Sequence, residues 1–223
     1  MLQKKKRKFL ILFFLFIFIG SLNNKNLNRT NFLKVNEINV SGLDKKNNIE
    51  ITNKLNFLGI NNLFFLRDVK IKEILNSNNL IEDYSVFKKY PSTLNVKINK
   101  TQFLAKLKKN DNFLFIGSNG KLINSTDNKK DIPHLFGNFK IKDFFALKKI
   151  MDETNFDYDI IESLIFFGSS RWDIITYSDI LIKLPSDNLK RSLKLVSKIL
   201  KDDKLKDIKL IDLRQHNQII VNE

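Results

Sequence analysis

The chain opens with a sharp change of pattern. Five basic residues, Lys4 to Lys8 with Arg7 among them, precede fourteen uncharged positions from Phe9 to Leu22. As a helix these rise about 21 Å, short of a hydrocarbon core of about 30 Å. Snorkelling basic side chains and local thinning of the bilayer still permit a span. The length also suits the apolar region of a cleaved signal, but Ile19 to Leu22 offers no small-x-small cleavage site, so an uncleaved anchor is expected. The basic cluster then stays cytoplasmic and everything after Asn23 lies outside. Asn23 to Asn31 is polar and aperiodic, a linker, and no later apolar run approaches membrane length.

From Phe32 to Lys100 the pattern predicts strand, helix, helix, strand, strand. Val35 to Val40 reads as a strand closed by Ser41-Gly42. Asn47, with Glu50 three residues on, reads as a capping pair for a helix carrying Ile51, Leu55 and Leu58, with Gly59 as its stop. Asp68 is placed to cap a second helix with Ile71, Ile74 and Leu75 on one face. Ile81 to Lys89 and Leu94 to Ile98 form a hairpin turned at Tyr90-Pro91-Ser92.

Beyond Thr101 strands dominate. Phe103 to Leu107, Phe113 to Ile116 and Lys121 to Ile123 are predicted strands, the last two separated by Ser118-Asn119-Gly120. Ile132 to Gly137 reads as a loop. Phe144, Leu147, Ile150 and Met151 give a helical face. Ser163 to Phe167, Trp172 to Tyr177 and Ile180 to Leu184 read as successive strands. Leu189, Leu193, Val196 and Leu200 mark an amphipathic helix, and Ile208 to Leu213 and Gln218 to Val221 two final strands. The expected fold class is α+β. Residues 1–8 form a basic tail, 9–22 a single transmembrane helix, 23–31 a linker, 32–100 a βααββ domain, and 101–223 a β-rich mixed domain.

Composition narrows the chemistry. The 223 residues contain no cysteine, which excludes disulfides, thiolate metal sites and a cysteine nucleophile. The two histidines, His134 in a predicted loop and His216 in a predicted turn, leave little for a metal site or triad. Asp173 and Asp212 have no second carboxylate at a predictable distance, so no catalytic residue, metal or cofactor is assigned. The net charge of +15 rests on lysine, with six arginines among 39 basic residues. Nucleic-acid readers favour the planar arginine fork, so a solvated basic surface is expected rather than a nucleic-acid partner.

Several stretches together resemble the FtsQ/DivIB cell division family. Val35 to Gly42 (VNEINVSG) is similar to that family's opening POTRA strand with its V-x-G ending. Leu63 to Asp68 (LFFLRD) is similar to the lead into the second POTRA helix, and Tyr90 to Val96 (YPSTLNV) to an aromatic-P-x-x-L-x-V hairpin. The E-x-x-P-x-A that follows in the family is here Lys100 to Ala105 without Glu or Pro. Phe115 to Gly120 resembles L-I-D-x-x-G with Gly117 in place of Asp. Ser170 to Ile174, Lys183 to Pro185 and Ile211 to Arg214 resemble the family's RWDL, KLP and IDLR stretches. The chain ends soon after Leu213, which suggests the FtsQ form found beneath an outer membrane.

The resemblance implies a non-enzymatic scaffold of the division machinery. It would sit in the inner membrane as a single-pass type II protein at the septum, with its bulk in the periplasm. It would bind small FtsB- and FtsL-like coiled-coil proteins, and other division proteins through the POTRA-like domain. Edge-strand addition is the expected mode. The candidate partner residues are Gln218, Ile219, Ile220 and Val221, with Arg214 and Arg171 beside them. Either Gln218 or Ile220 is expected to turn its N–H outward. Arg214 is equally readable as an exposed ion-pair residue, Arg171 as a structural pair, and the last strand as an ordinary terminal one. Two other functions compete. An outer-membrane transport POTRA module would need repeated domains, and a peptidoglycan enzyme or binder would need convergent polar groups.

Overall fold

The structure, a computed structural model, describes residues 2–22, 33–109, 112–124, 132–202, 208–215 and 218–222. The predicted linker and His216 lie outside these residues. Contacts divide the chain into two compact units, one comprising Met1–Ser77 with Tyr84–Ile98 and the other Asn78–Asp83 with Asn99–Glu223.

Helix α1 (Leu2–Leu22) carries the uncharged run after the basic cluster. The expected transmembrane segment is here corrected to a plainer statement. Among the described residues, no helix is long and apolar enough to cross a membrane. The basic turn that precedes Phe9 shortens the apolar part of the helix.

The remainder of the first unit follows the predicted order. Strand β1 (Glu37–Ser41) precedes α2 (Lys45–Leu55), a 3-10 turn (Asn56–Ile60) and α3 (Val69–Ser77). Strands β2 (Ile81–Lys89) and β3 (Thr93–Lys100), of which residues 84–89 and 93–98 belong to this unit, complete a sheet of order β1-β3-β2. Strand β1 lies parallel to β3, with Val40 beside Val96. Leu94, Val96 and Ile98 are buried on one face of β3, together with Ile51 and Leu55 from α2 and Ile71 and Leu75 from α3. The cap of α2 differs from expectation. Asp44 occupies it, accepting from Asn47 N at 3.0 Å, because a carboxylate one residue ahead of Lys45 meets the free N–H groups better than Asn47 can. Glu50 instead pairs with Lys54 across one helical turn. Gly59 lies within the 3-10 turn rather than directly after α2. Gly42, at φ +114°, closes β1 where a Cβ would lie 1.8 Å from Ile98 O.

The second unit is built on one mixed sheet of nine described strands, in the order β12-β11-β10-β9-β8-β7-β4-β5-β6. These are β4 (Phe103–Lys109), β5 (Asn112–Gly117), β6 (Leu122–Asn124), β7 (His134–Phe136), β8 (Ile161–Phe167), β9 (Arg171–Thr176), β10 (Leu181–Lys183), β11 (Leu210–Asp212) and β12 (Ile220–Asn222). Helices α4 (Ile141–Glu153) and α5 (Leu189–Ile199) bury Phe144, Leu147, Met151, Leu193 and Val196 in one core with Trp172, Ile174, Ile182 and Ile211. Trp172 packs 4.8 Å from Phe166 and 5.8 Å from Phe139, ring centre to ring centre.

The segment Ile132 to Gly137 corrects the prediction of a loop. His134–Phe136 is β7, parallel to both β4 and β8. Three residues are too few to display an alternating pattern, and the flanking Pro133 and Gly137 carry the signals of a loop. His134 is therefore a strand residue, and partial burial beside Lys106 holds its pKa below the ordinary imidazole value.

A polar latch fixes Asn78–Asp83 within this unit. Glu82 Oε2 accepts from Thr101 Oγ1 at 2.8 Å and from Ser118 Oγ at 2.6 Å. Asn119 Nδ2 donates to the carbonyls of Asn79 and Ile81, both at 2.9 Å. Gly117 makes room for it, since a Cβ there would stand 2.6 Å from Asn119 Oδ1 and 2.7 Å from Thr101 Oγ1.

Gly137, directly after β7, has φ +98°, and a Cβ on it would lie 2.1 Å from Phe166 O in β8. Gly137→Ala is expected to destabilise the second unit by at least about 1–3 kcal/mol, from the left-handed backbone and the clash together. Denaturant unfolding followed by Trp172 fluorescence checks this, and an unchanged midpoint would contradict the close approach.

Candidate functional site

The C-terminal end of the sheet is where the sequence-predicted residues gather. Strand β12 pairs antiparallel with β11, with Ile220 opposite Asp212, Val221 opposite Ile211 and Asn222 opposite Leu210. Among the described residues no strand pairs on the far side of β12, which leaves it an edge.

The ladder determines which of its groups are free of β11. Leu181 N donates to Lys209 O at 2.8 Å and Leu213 N to Lys183 O at 2.9 Å. Lys209 O, Ile211 and Leu213 N thus face β10, and Leu210 and Asp212 face β12, where Lys209 N also donates to Asn222 O at 2.9 Å. Ile220 and Asn222 are the residues bonded inward, and Val221 presents its N–H and C=O outward. Neither Gln218 nor Ile220 is the outward donor expected from the sequence. Gln218 N donates to Gln215 O at 3.4 Å, and Gln218 and Ile219 precede the strand. Side chains nevertheless make the edge apolar, with Ile219 42%, Ile220 48% and Val221 38% exposed.

A row of charges leads up to this edge. Asp173 stands opposite Lys183, Lys183 beside Asp212, and Asp212 opposite Ile220, all on the sheet face turned away from the Ile174, Ile182 and Ile211 core. Arg214 grips Asp212 from the end of β11. Its Nε is 2.9 Å from both carboxylate oxygens, its Nη2 is 2.5 Å from Oδ2, and its N donates to Oδ1 at 3.0 Å. These bonds hold the buried Asp212 carboxyl below its ordinary pKa and raise that of Arg214. Asp173 behaves in the opposite sense. Burial raises its pKa, against the pull of Arg171, Lys183 and Arg214.

Arg171 is set apart from the other predicted residues. It begins β9, three strands in from β12, or about 14 Å at the usual strand spacing. There it donates to Asp173 Oδ1 at 3.3 Å and lies 4.4 Å from the centre of the Phe167 ring. Arg214, Gln218 and Ile219 are brought together with Arg191 and Leu195 of α5 around a pocket of about 150 Å³. Sequence reasoning missed this pocket and the two α5 residues. The amphipathic period of α5 identifies its buried face but says nothing of what borders the opposite one. No group of three or more His, Asp or Glu side chains among the described residues is arranged to hold a metal ion.

The described C-terminal end of the sheet thus combines an open strand edge, a row of paired charges and an apolar rim. Two family descriptions match these units, "POTRA domain, FtsQ-type" over residues 33–100 and "Cell division protein FtsQ/DivIB, C-terminal" over residues 105–214. The chain belongs to the FtsQ/DivIB family. It is 24% identical over 210 residues to cell division protein FtsQ of Bradyrhizobium diazoefficiens, covering 91% of this chain and 60% of that protein. With FtsQ of Rickettsia bellii it shares 26% over 195 residues, 85% of this chain and 72% of the relative. The chain thus spans about 60% of the length of the Bradyrhizobium FtsQ. A solved extracytoplasmic domain of DivIB from Geobacillus stearothermophilus aligns over 43% of this chain and 87% of its own, at 11% identity and a TM-score of 0.33. FtsQ/DivIB proteins are a cell division scaffold family. Strand β12 lies beyond the residues that the two family descriptions match.

The two carboxylates of the charge row respond oppositely to pH. Asp212 has a lowered folded-state pKa, so its contribution is complete above the unfolded value of about 3.9 and is lost as pH falls through the folded one. Asp173 has a raised pKa, so the stability it contributes is complete below the unfolded value and is lost as pH rises through the folded one. Relative to the parent chain, the Tm of Asp212→Asn is expected to fall as pH rises across the carboxylate range, and that of Asp173→Asn to rise. Thermal melts at a series of pH values check this, and differences moving in the same direction would contradict it.

Proposed function

We propose that this FtsQ/DivIB protein is a membrane-attached scaffold of the division machinery that receives its partners as an added strand at β12. The observation that carries this is the geometry of the terminal strand, an edge of three residues whose Val221 N–H and C=O face away from the sheet. The partners implied are FtsB- and FtsL-like proteins, with other division proteins engaging the POTRA unit. Arg214, on the rim of the pocket beside Gln218 and Ile219, is the proposed contact for a partner carboxylate through Nη1, the guanidinium nitrogen that its bonds to Asp212 do not use.

Attachment to the inner membrane is part of the same proposal. The large side chains from Phe9 to Ile19 are all about half exposed or more, around the whole circumference of α1. A helix that is apolar all round needs a cover, and lipid supplies it. Lys4 to Lys8 would stay cytoplasmic, and the two folded units would lie in the periplasm at the septum. Thinning of the bilayer and snorkelling of the basic flank would accommodate the short apolar run.

Proline discriminates main-chain pairing from side-chain contact. Val221→Pro removes an outward donor and no internal bond, so the Tm should change little while co-purification of the FtsB-like partner is lost. Ile220→Pro removes a bond to Asp212 and should lower both. Arg214→Gln, chosen because a carboxylate there would confront Asp212, should weaken recovery without abolishing it. Undiminished partner recovery by a folded Val221→Pro chain would overturn strand addition.

A further inference from the structure

The first unit carries an aromatic patch that the β12 edge does not use. Where the chain enters this unit, Leu63 N donates to Leu33 O at 2.7 Å, Val35 N donates to Asn61 O at 3.2 Å, and Lys34 bridges Asn62. The next two residues are Phe64 and Phe65, which are 61% and 75% exposed. Leu63 and Leu66 on either side are buried, so the loop is pinned at both ends and displays only its aromatic pair. Asn62 Oδ1 accepts from Phe64 N at 2.8 Å, and Lys88 Nζ donates to Leu66 O at 2.8 Å, fixing the loop further. The two rings meet edge to face at 5.1 Å, and Tyr90, 53% exposed, lies 6.4 Å from Phe64. Arg67 and Lys89 are exposed at neighbouring chain positions.

Two observations bear on what could cover this patch. The first is the tether. Residues 23–32 separate α1 from Leu33, and ten residues reach at most about 35 Å even when fully extended. Because Leu33 pairs with Leu63, the aromatic pair lies beside the end of that tether. The second is composition, since aromatic rings interleaved with Lys and Arg are the side chains that settle at the level of lipid headgroups.

We propose that the Phe64-Phe65 loop, with Tyr90, Arg67 and Lys89, docks the POTRA unit into the interfacial zone of the bilayer that holds α1. Phe64, Phe65 and Tyr90 enter the headgroup region, and Arg67 and Lys89 meet its anionic groups. The proposal rests on membrane attachment through α1, and the test separates the two. The chain has no cysteine, so single nitroxide labels can be placed on the full-length protein through Phe65→Cys, Lys97→Cys and Phe14→Cys. Each labelled protein is reconstituted in vesicles of phosphatidylethanolamine and phosphatidylglycerol, and its accessibility to oxygen and to a water-soluble nickel chelate is measured. The expected result is an oxygen-to-nickel ratio at position 65 several-fold above that at position 97 and below that at position 14. A ratio at 65 equal to that at 97, with position 14 in lipid, overturns the docking and leaves the anchor standing. Shielding of position 65 from both reagents overturns it in favour of a protein cover, such as a second copy of this chain. A label at 14 in water overturns the anchor and the docking together.

Discussion

The second unit depends on a strand of three residues. Strand β7 is the only described link between the β4-β5-β6 meander and the strands from β8 to β12, and it is parallel to its neighbours on both sides. Parallel pairs cannot be closed by a tight hairpin, so both crossings must be supplied by long connections. Leu135 is buried at its centre, and Gly137 lets the chain leave at close contact with Phe166 O. The helices, the charge row and the β12 edge all assume a continuous sheet, and β7 is where that continuity is most thinly held.

Across that sheet the two faces solve different problems. One is closed by α4 and α5 with aliphatic and aromatic side chains, the ordinary means of burying a sheet. The other carries Asp173, Lys183 and Asp212 in successive strands, with Arg171 and Arg214 folded over the carboxylates. Opposite charges in cross-strand positions offset each other, and the arginines supply hydrogen bonds that water would otherwise provide. The row ends on Ile220 at the edge. The carboxylates are thereby paired within the domain, and the exposed side chains of Ile219, Ile220 and Val221 make the strand edge apolar.

What could be read from the chain follows from how each signal arises. Helix α5 was legible because Leu189, Leu193 and Val196 repeat at helical spacing, and β3 because Leu94, Val96 and Ile98 alternate. Strand β2 begins and ends where its pattern does, at Ile81 and Lys89. Strand β7 is illegible in the sequence because three residues give no period and the flanking Pro133 and Gly137 carry the signals of a loop. The cap at Asp44 is hidden in the sequence because Asn47 and Glu50 have the spacing of a capping box, whereas Asp44 is followed by two lysines and has no Glu or Gln three residues on. The outward donor at the edge was misplaced by a single residue. Register along a strand has period two, so a one-residue error exchanges inside for outside. That parity is fixed by the bonds of β10 and β11, which no local pattern in Gln218 to Val221 encodes.

The shortness of β12 constrains how the proposed partner strand could bind. Among the described residues of β12, Val221 alone turns both its N–H and its C=O outward, which offers two main-chain bonds. At a net of about 0.5–1.5 kcal/mol each they supply at most about 3 kcal/mol, against roughly 8 kcal/mol for micromolar affinity. Most of the remainder has to come from side chains. Ile219, Ile220 and Val221 form the apolar rim, and the pocket bordered by Leu195, Arg191 and Arg214 accepts what projects beyond it. Attachment of both proteins to one membrane would then convert a weak docking into a stable one by raising effective concentration, without adding a contact. In the proposed complex an edge this short would select alignment and register, while α5 and the membrane would carry the affinity.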